Sequence, residues 1–189
     1  LPVRQSSPVE AGARAQLAVA ATRARSANSS ENRSARGTVT PVPGSTVRCA
    51  LYTDASAPSE RRWLVVTESG PGRNDDDPVK AEQAQRLLDA MLRAVGAHRK
   101  ERGRAGADIA SAIAQNRPHV VLAAGRAAGQ RLLESREPLN VLRGRLHRLD
   151  DAAPVIVTYH PAYLLRAPAH KRGAWDDLLR AAAAAGESP

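Results

Sequence analysis

The stretch from Val155 to Arg166 contains the residues whose types and spacing most directly suggest chemistry. Its apolar, β-branched first half ends at His160-Pro161, and an amphipathic segment follows. Because proline disfavours helical geometry at the residue before it, we expect His160 to lie extended at the C-terminal end of a buried strand. Open α/β sheets bind their ligands at that end of the strands. A titratable imidazole held there is a candidate for polarising an oxygen of a substrate.

Two other apolar runs also end in turns that could do chemistry. Trp63–Thr67 is followed by Glu68-Ser69-Gly70-Pro71-Gly72, which predicts a strand and then a turn. Glu68 could orient a water molecule there, and a solvated turn acid fits the same pattern. Residues 118–124 end at Gly125-Arg126, where a helix begins. Free amides at that turn could hold a phosphate, and a tight strand–helix turn is the alternative.

The remaining periodicity predicts the elements that position these ends. Strands at 63–67, 118–124 and 155–159 alternate with helices, which favours a three-layer α/β/α fold with a small parallel sheet of three or four strands. A short edge strand at 47–52 and another at 146–149 leave the strand number open. The predicted helices comprise one that enters at Asp75-Asp76-Asp77-Pro78 and stops at Gly96, and others at 107–115, 126–133 and 171–184. In the last helix, Trp175, Leu178, Leu179 and Ala182 share a face that we expect in the core.

Charge and composition divide the chain. The net charge is +9, of which residues 1–48 contribute +5 from seven Arg and two acids. Residues 1–46 are rich in Ala, Arg and Ser without a sustained period, so we expect a disordered basic tail. We expect a folded domain at 47–184 and a flexible end at 185–189. The positive charge favours a polyanion such as DNA, bound through its backbone.

The single cysteine, Cys49, allows no internal disulfide and no cluster held by four cysteines. His98, His147 and His170 lack the spacing of metal ligands, so we expect neither a metal nor another cofactor. No apolar run approaches the ~20 residues that span a bilayer, so a membrane is not an expected partner. These features fit a cytoplasmic protein.

The C-terminal half contains an ordered series of motifs. They are Gly125-Arg126, Gln130-Arg131-Leu132-Leu133, Leu142-Arg143-Gly144-Arg145-Leu146-His147 and Thr158–Arg166, followed by Lys171, Trp175, Asp177 and Leu178. This series closely resembles the bacterial family 4 enzymes of the uracil-DNA glycosylase superfamily. Leu87-Leu88-Asp89-Ala90-Met91-Leu92 and the strand at 63–67 extend the resemblance to residues 61–180.

The resemblance implies a base-excision repair site on DNA. In that family the His of the His-Pro motif lies beside uracil O2 and stabilises negative charge as the glycosidic bond breaks, a role implied here for His160. Glu68 aligns with the Glu of the family's first motif, which makes Ser69, Gly70, Pro71 and Gly72 the turn of the base pocket. The residues after His-Pro enter the minor groove and fill the gap left by a flipped base. The DNA contacts implied are Pro161, Ala162, Tyr163, Leu164, Leu165 and Arg166, with Arg126 as a further candidate.

Within that segment, Leu164 or Leu165 would be the wedge and Arg166 would meet a phosphate. The alternative is a short helix that packs both leucines into the core.

The chain departs from the family at several positions. Thr67 replaces a leading Gly, and an extra residue precedes Pro71-Gly72. The chain has no Phe on which uracil could stack, and Val79 or Lys80 falls near that position. Base–aromatic stacking is worth ~1–3 kcal/mol per base. Residues 98–106 replace a strand whose Asn reads uracil, and Asn116 is not its equivalent. The cluster cysteines are also missing.

Three hypotheses follow. The first is a divergent member of the superfamily, a pseudoenzyme that binds DNA with lost or weak uracil excision. The second is an active DNA glycosylase of altered base preference that uses Glu68 and His160. The third is a non-catalytic protein-interaction module on the same fold. We favour the first, because the missing Phe and Asn argue against the second and the retained His-Pro segment argues against the third.

Overall fold

A computed structural model describes residues 46–55, 60–69, 77–100, 104–105, 108–149 and 153–187. The predicted tail therefore lies outside the described residues except for Thr46, and so does residue 188 onward. The strands are β1 (Thr46–Asp54), β2 (Arg61–Ser69), β3 (His98–Arg99), β4 (Arg104–Ala105), β5 (Val120–Ala124), β6 (Leu146–Arg148) and β7 (Pro154–Thr158). The helices are α1 (Pro78–Ala94), α2 (Ile109–Asn116), α3 (Arg126–Leu132), α4 (Leu139–Leu142), α5 (Pro161–Arg166) and α6 (Lys171–Glu187), with a 3-10 turn at Pro168–His170.

The three strands predicted from apolar runs form the centre of the sheet. β2, β5 and β7 are parallel neighbours, and Thr67, Ala124 and Thr158 are aligned across them. Continuous apolar sequence is typical of parallel strands covered on both faces.

The predicted sheet of three or four parallel strands is wrong in size and in direction. Within the described residues the sheet has seven strands, with β3, β1, β2, β5, β7 and β6 in order and β4 also paired to β1. β1 and β6 run antiparallel to their neighbours. β1 pairs with β2 from Thr46↔Ser69 to Asp54↔Arg61, well beyond the predicted 47–52 strand. β3 and β4, of two residues each, are too short to produce a periodic signal.

Helices cover both faces of this sheet. One apolar cluster joins Trp63 and Leu122 to Leu92 of α1 and Leu178 of α6. The other joins Val66 and Val121 to residues of α3 and α4, including Leu132 and Leu142. The three-layer arrangement follows from these two clusters, because each strand has apolar side chains pointing to both faces.

α1 begins and ends at the predicted signals. Asp77 is its N-cap and accepts hydrogen bonds from the N–H groups of Val79 at 3.0 Å and Lys80 at 3.4 Å. Gly96 follows the last turn with φ +85°, a conformation that favours glycine.

The predicted buried face of α6 is only half correct. Leu178 is fully buried, but Trp175 and Leu179 are 36% and 47% exposed. Ala174, Asp177, Leu178 and Ala181 form the inward stripe instead. Small alanines and one acid occupy most of that stripe, so the large apolar residues suggested the wrong face. The helix also runs to Glu187, past its predicted end at 184.

Candidate functional site at the carboxyl edge of the sheet

The candidate site residues converge because three parallel strands end at one edge. β2 ends at Glu68-Ser69, β5 is followed by Gly125, and β7 is followed by Tyr159-His160. Neighbouring strands are spaced ~4.8 Å apart, so the backbones at Glu68 and His160 are about 10 Å apart across the sheet. Gly125, which follows the central strand β5, is hydrogen-bonded to the outer strand β7, since its N–H donates to the carbonyl of Thr158 at 2.8 Å.

His160 is extended, as the His-Pro pattern predicts, with φ −68° and ψ 135°. It caps α5 in two ways. Its carbonyl accepts from Tyr163 N–H at 2.9 Å, and its ring Nδ1 accepts from Ala162 N–H at 3.3 Å. An accepting Nδ1 places the proton of a neutral imidazole on Nε2, which makes Nε2 the donor nitrogen.

Gly125 lets the turn at the end of β5 approach His160 closely. A Cβ at Gly125 would lie 3.1 Å from the Cβ of His160, and the residue has φ +107°. Glycine therefore satisfies both the backbone conformation and the close approach. Arg126, the next residue, is exposed at the start of α3. Because it follows Gly125 directly, Arg126 lies at the same edge of the sheet as His160.

α5 divides the predicted DNA-contacting residues into buried and exposed groups. Pro161, Ala162 and Leu164 are buried, and Leu164 is fully so. Tyr163 is half-buried, Leu165 is 39% exposed, and Arg166 is exposed. The buried three pack α5 onto the domain and are withdrawn from direct contact with a ligand. Of the two leucines, only Leu165 has the exposure that a wedge requires.

Glu68 is buried, which excludes the solvated turn acid considered above. Its side chain is 3% exposed, and its Oε2 atom has no hydrogen-bond partner among the described residues. Glu68 pairs in register with Val47 and lies on the sheet face that carries Val66. Burying a carboxylate oxygen without a partner is costly, and such atoms occur where a protein binds or reacts. Ser69 ends β2, and the predicted pocket residues Gly70, Pro71 and Gly72 lie outside the described residues.

The region that replaces the family's second strand pairs differently. β3 and β4, within 98–106, are antiparallel partners of β1 at the side of the sheet away from β7. Asn116 ends α2 and donates to the carbonyl of Ala112 at 2.8 Å. Because it precedes β5, it lies near the opposite edge of the sheet from His160. Asn116 therefore supplies no base-reading amide at this site.

A buried ion pair behind His160 was not predicted from the sequence. Asp177 of α6 is fully buried and accepts from Arg143, with Nε at 2.8 Å and Nη2 at 2.6 Å from Oδ2. Burial raises the pKa of the Asp177 carboxyl, and the Arg143 guanidinium opposes that rise. The buried Thr158 hydroxyl lies near enough to lower the pKa of Asp177 as well, and it has no hydrogen-bond partner among the described residues.

The guanidinium of Arg143 also stacks on an aromatic group next to His160. Its Cζ atom lies 3.7 Å from the ring centroid of Tyr159. Tyr159 stacks on Tyr163 with centroids 5.4 Å apart, and His170 meets the Tyr159 ring edge-on at 5.0 Å. The exposed cations nearest in sequence are Arg166 and Lys171, and neither pairs with a carboxylate among the described residues.

A cavity of about 590 Å³ lies elsewhere and contains none of the predicted site residues. It is lined by Thr46, Val47, Asp108, Ile109, Ala110, Ile113, Arg131, Leu132, Glu134 and Leu149.

The residues do not fit an iron–sulfur cluster, since Cys49 is the only cysteine and is buried in β1. Among the residues that the structure describes, no three His, Cys, Asp or Glu side chains are grouped to hold a metal ion. In the same ranges, no helix has the length and apolar content needed to cross a membrane.

Three parallel strands that end beside a His-Pro corner, with helices on both faces of the sheet, define an α/β domain whose candidate site lies at the carboxyl edge. The model of the uracil DNA glycosylase superfamily matches residues 57–179, more than half of the chain. The chain therefore belongs to the uracil DNA glycosylase superfamily. None of the curated proteins compared with it matches significantly.

Proposed function

We propose that this protein binds DNA through the His160–Arg166 corner and excises uracil weakly or not at all. The observation that carries the proposal is the arrangement of α5. Its buried side anchors the helix, while Tyr163, Leu165 and Arg166 remain at the surface directly after His160. An apolar side chain beside a cation suits a minor-groove wedge next to a phosphate.

The charge around this corner supports a polyanionic partner. Arg126, Arg166 and Lys171 are exposed, and they are not neutralised by carboxylates within the described residues. Neutralising backbone phosphates with such cations releases condensed counterions from DNA. The resulting affinity would be largely independent of sequence and would fall with added salt.

Impaired excision is proposed from what the base pocket lacks. The chain has no Phe, so the stacking partner that the family uses for uracil is missing. Asn116 is engaged within α2, where its side-chain amide donates to the carbonyl of Ala112. Without a base-reading amide, a pocket cannot reject cytosine efficiently. His160 alone can stabilise a leaving anion but cannot select the base.

One observation favours a second candidate, an active glycosylase with altered base preference. Glu68 holds a buried carboxylate oxygen that has no partner within the part of the chain that the structure describes, at the same edge as His160. A carboxylate there could orient water toward the sugar as the base leaves. Its loss in Glu68→Gln would abolish excision if this candidate is correct and would leave DNA affinity unchanged.

We further propose that the domain at 47–184 provides the DNA contacts of the folded site and that the basic residues before it add further electrostatic affinity. Residues 1–48 contribute +5 of the net charge of +9. Removing residues 1–46, which keeps the domain at 47–184, should weaken binding and reduce its dependence on salt.

The test uses the full chain with uracil-containing single-stranded and duplex oligonucleotides. We expect binding at low salt that weakens steeply as salt rises, together with little or no release of uracil. Arg166→Gln should weaken binding, and the matched control Arg93→Gln, which changes an exposed arginine in the last turn of α1, should not. If the protein binds neither oligonucleotide at low salt, the proposal fails. Rapid uracil release that His160→Ala abolishes would also overturn it.

A further inference from the structure

The ion pair between Asp177 and Arg143 is built to fix the guanidinium in one place. The Asp177 side chain is fully buried, and that of Arg143 is 14% exposed. Both Nε and Nη2 of Arg143 lie within 2.8 Å of the same carboxylate oxygen, Oδ2. Removing Asp177 would leave the Arg143 charge mostly buried without its carboxylate, whereas Asp177 also has Nη1 of Arg180 at 3.5 Å from Oδ1. The pair therefore holds the segment between α4 and β6 firmly against α6.

The fixed guanidinium lies against Tyr159, at 3.7 Å from Cζ to the ring centroid. Gly173 of α6 leaves the space for this stack. A Cβ at Gly173 would lie 2.9 Å from Nη2 of Arg143 and 3.6 Å from Cε2 of Tyr159. Arg143 is thus enclosed by α6 and the tyrosine ring, and it orients the residue immediately before His160.

Tyr159 in turn contacts α5 and the 3-10 turn that follows it. Its ring stacks on Tyr163, with an interplanar angle of 25°. It also meets His170, which ends the 3-10 turn after α5. The hydroxyl of Tyr163 lies 3.4 Å from Nδ1 of His170 and completes the aromatic group. One ring therefore packs against both α5 and the turn after it.

We propose that Asp177 and Arg143 are positioning residues that hold Tyr159, and through it His160 and α5, in the geometry that contacts DNA. This inference rests on the proposed DNA binding by α5. Neither residue is proposed to touch DNA. Their effect on binding is transmitted through the stacked ring of Tyr159.

A direct phosphate contact by Arg143 is the competing explanation, and the two make opposite predictions for Asp177→Asn. If Arg143 contacted DNA, removing its buried counter-charge would leave binding unchanged or strengthen it. If the pair positions Tyr159, Asp177→Asn and Arg143→Lys should both weaken binding. Lysine retains the charge but lacks the planar fork that pairs and stacks.

The experiment measures affinity of the full chain for a duplex oligonucleotide with one uracil, as a function of salt. We expect Asp177→Asn, Arg143→Lys and Tyr159→Leu each to weaken binding roughly tenfold, because a contact geometry is displaced. The slope of log affinity against log salt should stay constant. Losing a phosphate contact would reduce it by about 1. Arg145→Lys is the matched control, since Arg145 lies two residues away and is half-exposed, and it should bind as the wild type does.

The variants should also show a shared effect, since they act through one ring. Combining Arg143→Lys with Tyr159→Leu should weaken binding no further than either change alone. Affinities are measured well below each melting temperature, and a circular dichroism spectrum like the wild type's confirms folding. If the wild type binds DNA and all three variants bind with the same affinity, the positioning role is overturned and the proposed DNA function is not. Stronger binding by Asp177→Asn or a reduced salt slope in Arg143→Lys would do the same. If the wild type does not bind, the proposed DNA function fails instead.

Discussion

Adjacent leucines in α5 provide the sharpest separation of stability from DNA contact. Leu164 is fully buried where α5 packs against α1, whereas Leu165 is 39% exposed. Leu164→Ala removes buried methyl groups and leaves a cavity, so we expect it to lower the free energy of unfolding by about 3–5 kcal/mol. Leu165→Ala removes side-chain surface that is only partly buried, and we expect a cost of about 1 kcal/mol or less.

The order should reverse for DNA binding. Leu165 is the proposed wedge, and its truncation should weaken binding to a uracil-containing duplex by about 1.4 kcal/mol, or about tenfold. Leu164→Ala should bind nearly as the wild type does at temperatures where it is folded. Urea unfolding gives the stabilities, and fluorescence anisotropy gives the affinities. A larger loss of stability in Leu165→Ala than in Leu164→Ala, or unchanged DNA affinity in Leu165→Ala, would contradict the assignment of Leu164 to the core and of Leu165 to the DNA-contacting surface.

Three further outcomes follow from other contacts. Burial, together with the charges of Arg62 and Arg61, lowers the pKa of His119 below 6.5. The Nδ1 atom of His119 accepts a hydrogen bond from the backbone N–H of Arg62. Protonation therefore opposes folding. The free energy of unfolding should fall as pH drops below about 6.5, and His119→Gln should flatten that dependence in urea titrations at several pH values. Gly125→Ala should cost about 1–3 kcal/mol in thermal unfolding and weaken DNA binding, because its Cβ would meet His160 at φ +107°. Tyr52→Phe should cost about 1–3 kcal/mol in urea, because the buried hydroxyl donates to a carboxylate at 2.7 Å.

The parallel centre of the sheet was predictable because its strands are continuous apolar runs between turn residues. β2, β5 and β7 follow from this signal, and α1 follows from its leucine spacing, Asp77 cap and Gly96. The extended His160 followed from the proline after it. Each of these features depends on neighbouring residues alone.

The antiparallel additions depend on pairing, which local sequence does not encode. β1 mixes buried and exposed positions, and only its partner β2 fixes its full length. The ion pair of Arg143 with Asp177 joins residues 34 positions apart. A signal for it did exist, because Asp177 lies in helical register with Ala174, Leu178 and Ala181. An acid on a buried stripe requires a cation, but the large side chains of Trp175 and Leu179 favour the adjacent face as the buried one.

Single-turnover excision tests most directly whether the protein binds DNA without excising uracil efficiently. The full chain is in excess over a uracil-containing oligonucleotide, at a concentration that saturates binding. Saturation separates chemistry from affinity, and His160→Ala reports whether any release depends on the site described here. We expect the DNA to be bound while uracil is released slowly or not at all. Rapid and complete release that His160→Ala abolishes would contradict it.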